Sequence, residues 1–247
     1  MRNISEVIVE SKYLTALTGA GFSAESGIPT FRDEDGLWEK YRAEDLATPE
    51  AFWRDPELVW RWYAWRMEKV FSAEPNEAHR SFAELEKMGI LKTVITQNVD
   101  DLHERAGNKN IIHLHGRLKI LMCTKCGKEF EINSPPKIPP LPRCECDGLL
   151  RPGVVWFGEP LPEKDLRKAQ EEALKSDVMI VAGTSAIVQP AGSLPLIVKR
   201  EGGLIIEINP KETAISHIAD FKIRMSAVEA MRKIMEEICK LLNEEKS

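Results

Sequence analysis

No run of apolar residues in this chain reaches the length of a membrane span, so a helical membrane protein is excluded. The first residues, MRNISEVIVESKY, carry acids inside their apolar part and lack a small-residue cleavage site, so they do not read as a signal peptide. Basic charge is not in excess: Lys and Arg number 34 against 39 Asp and Glu, a net charge of −5, which leaves no broad positive field for nucleic acid. Cysteine is scarce, five residues in all, and disulfides are not expected in a reducing compartment. The expectation is a soluble cytoplasmic protein with neither nucleic acid nor membrane as a direct partner. What is present is 43% apolar residues, enough for a proper core, in 247 residues, a length for one large domain or a domain with an insertion.

The organising stretch is YLTALTGAGFSAESGIPTFRDEDGLW, residues 13–38. Tyr13 to Thr18 mixes apolar and β-branched residues and reads as a short buried strand. Gly19-Ala20-Gly21 follows as a turn, and Ser23 to Gly27 reads as the first turn of a helix. Such a turn presents free N–H groups and a positive helix end to a pyrophosphate. The third glycine, Gly27, comes late for a G-x-G-x-x-G fingerprint, and a ligand-free strand–turn–helix connection is the alternative. Pro29, Phe31 and Arg32 place a bend, an aromatic ring and a cation beside the proposed site, which favours the ligand. Residues 33–35 read as a solvated loop able to close over it.

Residues 39–73 leave the strand–helix alternation. Thr48-Pro49-Glu50 and Asp55-Pro56-Glu57 each look like a helix start, the second helix running to about Phe71. Trp53, Trp60, Trp62 and Trp65 crowd these helices, and packing explains most of them. Arg61 has Glu57 four residues earlier as an ion-pair partner. Arg66 has no acid at helical spacing; with Tyr63 on the same face it is either a carboxylate receptor or a surface arginine laid on a tryptophan.

Alternation resumes with a helix from Glu77 to Met88, ended by Gly89, and a strand from Leu91 to Thr96. That strand delivers Gln97-Asn98-Val99-Asp100 to the carboxyl end of the sheet, where ligands bind in open α/β folds. Two amides and an acid suit an amide-bearing ring and a ribose; a capped turn before a helix at 101–106 is the plainer reading. In the strand Ile111 to Gly116, His113 and His115 share a face. His115, at the strand end, is the candidate general base; His79, His103, His113 and His217 are read as structural.

Cys123-x-x-Cys126 and Cys144-x-Cys146 supply four thiolates, a closed tetrahedral set for structural zinc, with an iron–sulfur cluster or a redox thiol set as alternatives. The proline-rich SPPKIPPLPR between them builds no core without the metal. Cys239 is left over as a helix residue. VVWFGE, Val154 to Glu159, has a strand's composition. Strands Val178–Ala182 and Leu204–Ile208 lead into Gly183-Thr184-Ser185 and Asn209-Pro210-Lys211, the second suited to a ribose. The last helix starts at Ser226 with Glu229 forming a capping box. The fold expected is α/β: a Rossmann-like parallel sheet domain (1–35, 76–116 and 154–247) with a helical insertion (36–75) and a small zinc-binding module (117–153).

Taken in order, GAGFSAESGIPTFR, TQNVDDLHERAG, LHG, the four cysteines, VVWFGE, GTS and INP resemble the motifs of the sirtuins, NAD-dependent protein deacylases, over nearly the whole chain. Many sirtuins have aspartate where this chain has Thr30; with Ala47, Tyr63 and Arg66 the chain is similar to the class III branch, which favours succinyl and malonyl lysine. The resemblance implies NAD+ as co-substrate and one structural Zn2+. It places the pyrophosphate on the loop of Gly19, Ala20, Gly21 and Ser23, and nicotinamide near Asn98 and Asp100. It adds Thr30, Phe31, Arg32, Trp38, Gln97, Gly183, Thr184, Ser185, Asn209, Pro210, Lys211 and Ala227 to the dinucleotide site. His115 is implied as base on a ribose hydroxyl, with Phe31 screening the reacting sugar. The acylated lysine of a protein substrate is the implied partner. Val154, Val155, Trp156, Phe157, Gly158 and Glu159 would pair with its backbone, and Tyr63 with Arg66 would bind an acyl carboxylate. Products would be free lysine, nicotinamide and O-acyl-ADP-ribose. Mono-ADP-ribosylation at the same site, and an NAD+-binding sensor with little turnover, are the competing readings.

Overall fold

The computed structural model describes residues 1–31 and 42–244, so Arg32 and Trp38 lie outside the described residues. Six parallel strands form the main sheet: β1 (Leu14–Thr18), β2 (Leu91–Thr96), β3 (Ile111–His113), β7 (Val178–Ala182), β8 (Leu204–Ile208) and β9 (Phe221–Ile223). Their order, β3-β2-β1-β7-β8-β9, is the 3-2-1-4-5-6 arrangement of dinucleotide folds, and it reverses between β1 and β7. Strands β1 and β7 are buried at every position, as their unbroken apolar and β-branched composition requires in a sheet covered on both faces.

One face is covered by the helices Arg2–Glu10, Glu77–Lys87 and Ala227–Glu244, which pack Ile8, Phe82, Leu85, Met231 and Ile234 onto the strands. The helices Glu163–Lys175 and Leu194–Arg200 cover the other through Ala169, Ala173, Leu194 and Val198. The amino-terminal helix was not anticipated from sequence; its apolar face is short and packs against the last helix as well as the strands.

A second sheet is antiparallel, β5-β4-β6, from β4 (Gly116–Cys123), β5 (Glu129–Glu131) and β6 (Leu150–Val154). It shares a core with the helices Pro49–Arg54 and Pro56–Ser72: Phe52, Trp60, Tyr63 and Met67 pack with Leu118, Leu121, Leu150 and Trp156. Trp60 Nε1 donates to Leu150 O at 2.9 Å. Both expected caps are made, Ala51 N donating to Thr48 Oγ1 at 3.1 Å and Leu58 N to Asp55 Oδ1 at 3.0 Å. Arg61 pairs with Glu57. Trp60, Trp62 and Trp65 pack into this core, whereas Trp53 is exposed.

Several elements depart from the sequence expectation. The turn after β1 becomes helical at Ala20, not Ser23: one α-turn, Ala20–Ser23, passes into a 3-10 turn, Ala24–Ser26, and stops at Gly27 with φ +84°. VVWFGE, expected to be a strand, is one only at its first residue, since β6 closes at Val154 and the rest is irregular. β6 instead takes in Pro152, tolerated because this is an edge strand. β3 stops at His113. Ser226 Oγ accepts from Glu229 N at 3.2 Å, but the Glu229 carboxylate turns to Lys233 at 2.8 Å, so the capping box is half formed.

Candidate active site

β1, β2, β7 and β8 all end on a cavity of about 810 Å³ at the point where the strand order reverses. Each contributes the turn that follows it: Gly19 to Gly21, Gln97 to Val99, Gly183 to Ser185, and Asn209 to Thr213. Ser226 and Ala227 bring the positive end of the 18-residue last helix to the same wall. Thr30 and Phe31 line the cavity as well.

The turns interlock. Gly183 has φ +64°, and a Cβ there would lie 2.2 Å from Phe22 N, so only glycine permits this approach. Gly21 N donates to Gly183 O at 2.8 Å, which commits that N–H to the protein rather than to an anion. Gln97 Nε2 donates to Thr184 Oγ1 at 2.8 Å, and Asn209 Nδ2 to Thr184 O at 3.2 Å. Beneath the Asn209–Thr213 turn, Glu207 is fully buried. It accepts from Ser216 Oγ at 2.7 Å, Thr213 Oγ1 at 2.5 Å and Arg224 Nη1 at 2.6 Å. This anchor was missed from sequence; the available signal was a single acid inside an apolar strand, which burial obliges to find partners.

Ser23 and Asp100 do not reach the cavity surface. They lie behind it, where Ser23 Oγ donates to Asp100 Oδ2 at 3.0 Å and Leu102 N donates to Asp100 Oδ1 at 3.1 Å. Burial holds the Asp100 carboxyl above the usual carboxylate range. Asn98 Nδ2 donates to both Gly19 O and Ser23 Oγ at 3.1 Å, so its amide offers a ligand its oxygen.

His115 lines the cavity beneath these turns. Its Nδ1 donates to Gln97 O at 3.0 Å; a carbonyl only accepts, so Nδ1 carries the proton and Nε2 keeps its lone pair. Burial lowers its pKa, with the Gln97 carbonyl opposing. His113 turns to the next carbonyl of the same loop, Asn98 O at 3.4 Å, and to Glu104 Oε1 at 2.6 Å. Gly116 makes the turn after His115: its φ is +75° and a Cβ would meet Gly153 O at 2.2 Å. The other histidines behave structurally. His79 and His103 are buried around Phe22, and His217 is exposed.

At the far end of the cavity Arg66 is 7% exposed. Its guanidinium carbon lies 4.8 Å from the Phe31 ring centre and 4.9 Å from that of Trp62. Among the described residues no carboxylate forms an ion pair with it. Desolvation lowers its pKa, but a guanidinium stays charged. Tyr63 and Ala47 line the cavity alongside it, and burial raises the Tyr63 pKa.

Val154 to Glu159 line the same cavity as Gly183 to Ser185, and sequence reasoning missed the lining residues Ile187 to Gln189. The segment is held by its own N–H groups: Val155 N to His115 O at 2.9 Å, Phe157 N to Ala47 O at 2.9 Å, and Trp156 N to Glu159 Oε2 at 2.8 Å. The Glu159 carboxylate grips Arg151 at 2.5 and 2.9 Å, so this side chain shapes the wall and does not project from it.

The sulfur atoms of Cys123, Cys126, Cys144 and Cys146 all lie within 4.8 Å of one another. Cys123 and Cys146 are 3.5 Å apart and Cys126 and Cys144 3.7 Å, close to the ~3.8 Å edge of a tetrahedron with zinc–sulfur bonds of about 2.3 Å. The N–H groups of Cys126 and Lys125, each 3.4 Å from Cys123 Sγ, help to lower that thiol to about 6, while the neighbouring sulfurs push Cys126 up to about 11, so the close-set thiols ionise unequally. The donor set fits structural zinc, with no open position for chemistry.

A parallel sheet in this order, a crevice at its switch point and a four-thiol module grafted beside it define a Rossmann-type α/β protein with a metal-held small domain. The family model described as "Sir2 family" matches residues 19–190, and the chain belongs to that family. It is 64% identical over 239 residues to the "NAD-dependent protein deacylase 1" of Archaeoglobus fulgidus, covering 96% of this chain and 98% of the relative. Among solved structures it is similar to a Sir2 homolog–NAD complex (62% identity, TM-score 0.94, 98% of this chain and 95% of that one). It is also similar to a Sir2 variant with a deacetylated p53 peptide and 3′-O-acetyl ADP-ribose (38% identity, TM-score 0.89, 96% and 98%).

Proposed function

We infer that this chain is an NAD+-dependent protein-lysine deacylase that removes succinyl and malonyl groups as well as acetyl. The general activity is supported by the deacylase relatives and by the NAD and O-acetyl ADP-ribose complexes of the neighbours. The acyl preference rests on Arg66, a cation buried at the end of the cavity among rings and without an acidic partner among the described residues. Burying a charge is costly unless a counter-charge completes it, and a carboxylate at the tip of an acyl chain does so.

Bound NAD+ supplies an electrophilic ribose carbon and a neutral leaving ring. The turns after β1, β2, β7 and β8, with Thr30, Phe31 and Ala227, hold the dinucleotide, and Asn98 presents its amide oxygen to the ring. Phe31, Trp62 and Trp156 keep water from the acyl channel. His115 takes up a proton at Nε2 while Gln97 O fixes its tautomer. Val154 to Glu159 carry the substrate backbone, chiefly through carbonyl oxygens, since most N–H groups there are already bonded. The four cysteines hold zinc as a structural ion, and the reaction runs in the cytoplasm.

Incubation with NAD+ and succinyl, malonyl and acetyl peptides, read by mass spectrometry, tests the reading: free lysine marks deacylation, modified protein marks ADP-ribosyl transfer, and no product leaves binding alone. Arg66→Met is expected to lower kcat/KM for succinyl-lysine by ~2–5 kcal/mol more than for acetyl-lysine. Equal losses on both peptides contradict a carboxylate role.

A further inference from the structure

Tyr63 and Trp156 meet beside Arg66 in the shared core of the small domain. Both are nearly inaccessible, 2% and 3% exposed, and Trp156 Nε1 lies 2.9 Å from Tyr63 Oη. An indole N–H only donates, so the phenol oxygen accepts. The phenolic hydrogen lies near the ring plane in one of two positions, and the indole N–H occupies the acceptor direction of one of them. The Arg66 guanidinium, which also only donates, is within hydrogen-bonding reach of the same oxygen, so the hydrogen points away from both donors. No described residue accepts it, while Tyr63 lines the cavity with Arg66. A buried hydroxyl donor lacking an acceptor among the described residues is costly, and a ligand in the cavity it lines can supply one.

The indole is fixed from several sides, which gives its N–H a set direction. The Arg151 guanidinium carbon stacks 3.4 Å from the Trp156 ring centre, and the Phe52 ring lies 5.3 Å away. Arg151 is itself gripped by Glu159 and donates to Val154 O at 2.9 Å. Glu159 also accepts from Trp156 N at 2.8 Å. Glu159, Arg151, Trp156 and Tyr63 thus form one chain of contacts running from the substrate wall to the acyl pocket.

We propose that Trp156 is a positioning residue for acyl specificity: its indole N–H turns the Tyr63 hydroxyl hydrogen into the pocket, ready to bond a substrate carboxylate beside Arg66. This rests on the acidic-acyl reading above and assigns Trp156 a part distinct from lining the channel. A neutral acyl terminus such as a methyl gains nothing from that hydrogen, so the effect falls on acidic acyl groups.

The test is the ratio of kcat/KM for succinyl-lysine to that for acetyl-lysine, with NAD+ saturating. Trp156→Phe keeps a ring beneath Arg151 and removes the N–H, and it is expected to lower the ratio about five- to tenfold. Tyr63→Phe is expected to lower it at least as much. Added to Tyr63→Phe, Trp156→Phe is expected to change the ratio less than twofold, because no hydroxyl remains to orient. If Trp156→Phe does not fold, benzothienylalanine at position 156, with sulfur in place of the N–H, gives the same comparison. A ratio that moves less than twofold in Trp156→Phe, or falls equally with and without the Tyr63 hydroxyl, overturns the proposal. Arg66→Met separates the two levels. If it lowers the ratio while Trp156→Phe does not, only the role of Trp156 falls; if it leaves the ratio unchanged, the acidic-acyl reading falls and this role with it.

Discussion

In the proposed function, His115 is a ring prepared for proton transfer. The Gln97 carbonyl fixes which nitrogen is basic, and burial depresses the pKa below the ordinary histidine value. The basic form is therefore complete at a lower pH than for a solvent histidine. The acid limb of the kcat/KM profile is expected to have its midpoint below about 6.5 and to be level above it. A midpoint at or above that value in a pH–rate profile contradicts the assignment. His115→Ala is expected to lower turnover by ~10²–10⁴-fold while NAD+ binding by calorimetry persists. Residue type and position made His115 legible: a strand-end histidine before glycine. Glu207 was not, because its partners Thr213, Ser216 and Arg224 follow it in a loop and a strand with no local signature. Ser23 and Asp100 were legible as site residues but stand one layer back, a depth that spacing alone does not encode.

At the scale of elements, the thiol module is the clearest case of a part that depends on something besides its chain. Its strands are short, its connecting segment is proline-rich, and its sulfur atoms stand at zinc spacing. Cys123→Ser is expected to reduce bound zinc from one per chain to a small fraction by elemental analysis. Hydrogen exchange is expected to rise across Gly116–Cys123 and Leu150–Val154 while the parallel sheet stays protected. A protected, metal-free module would show that the thiols have another task. The cysteine spacing made this module readable in advance, and the proline-started helices were readable from their caps. The segment Val155 to Glu159 was not. Its apolar composition suits a strand, yet side-chain and long-range backbone partners (Glu159, Ala47 and His115) take its N–H groups, and no propensity anticipates that.

For the molecule as a whole, two buried histidines set a pH limit on stability. Burial lowers His79 to about 3, and burial with the neighbouring His79 lowers His103 well below its ordinary value. Below about pH 6.5 the unfolded chain binds protons that the folded chain refuses, so stability falls as pH falls, by up to ~1.4 kcal/mol per unit for each histidine. Asp100, raised by burial, opposes this as pH falls through its raised pKa. Urea unfolding at pH 5.0 is expected to give a lower stability than at pH 7.5, and His103→Phe is expected to narrow the difference. An unchanged difference in that variant contradicts the account. The parallel sheet itself was legible from alternating apolar strands and ligand-bearing turns, but its strand order was not read from the sequence, and the edge strand Phe221–Ile223 was too short to register.

The helix that carries Tyr63 and Arg66 owns no metal ligand, yet it shares a core with the strand Gly116–Cys123, which ends in one of the four clustered thiols. On the proposed acyl reading, an ion remote from the chemistry would thereby underwrite molecular discrimination. Chelation would blur the distinction between one acyl tail and another while the dinucleotide crevice, built on a different sheet, kept its shape.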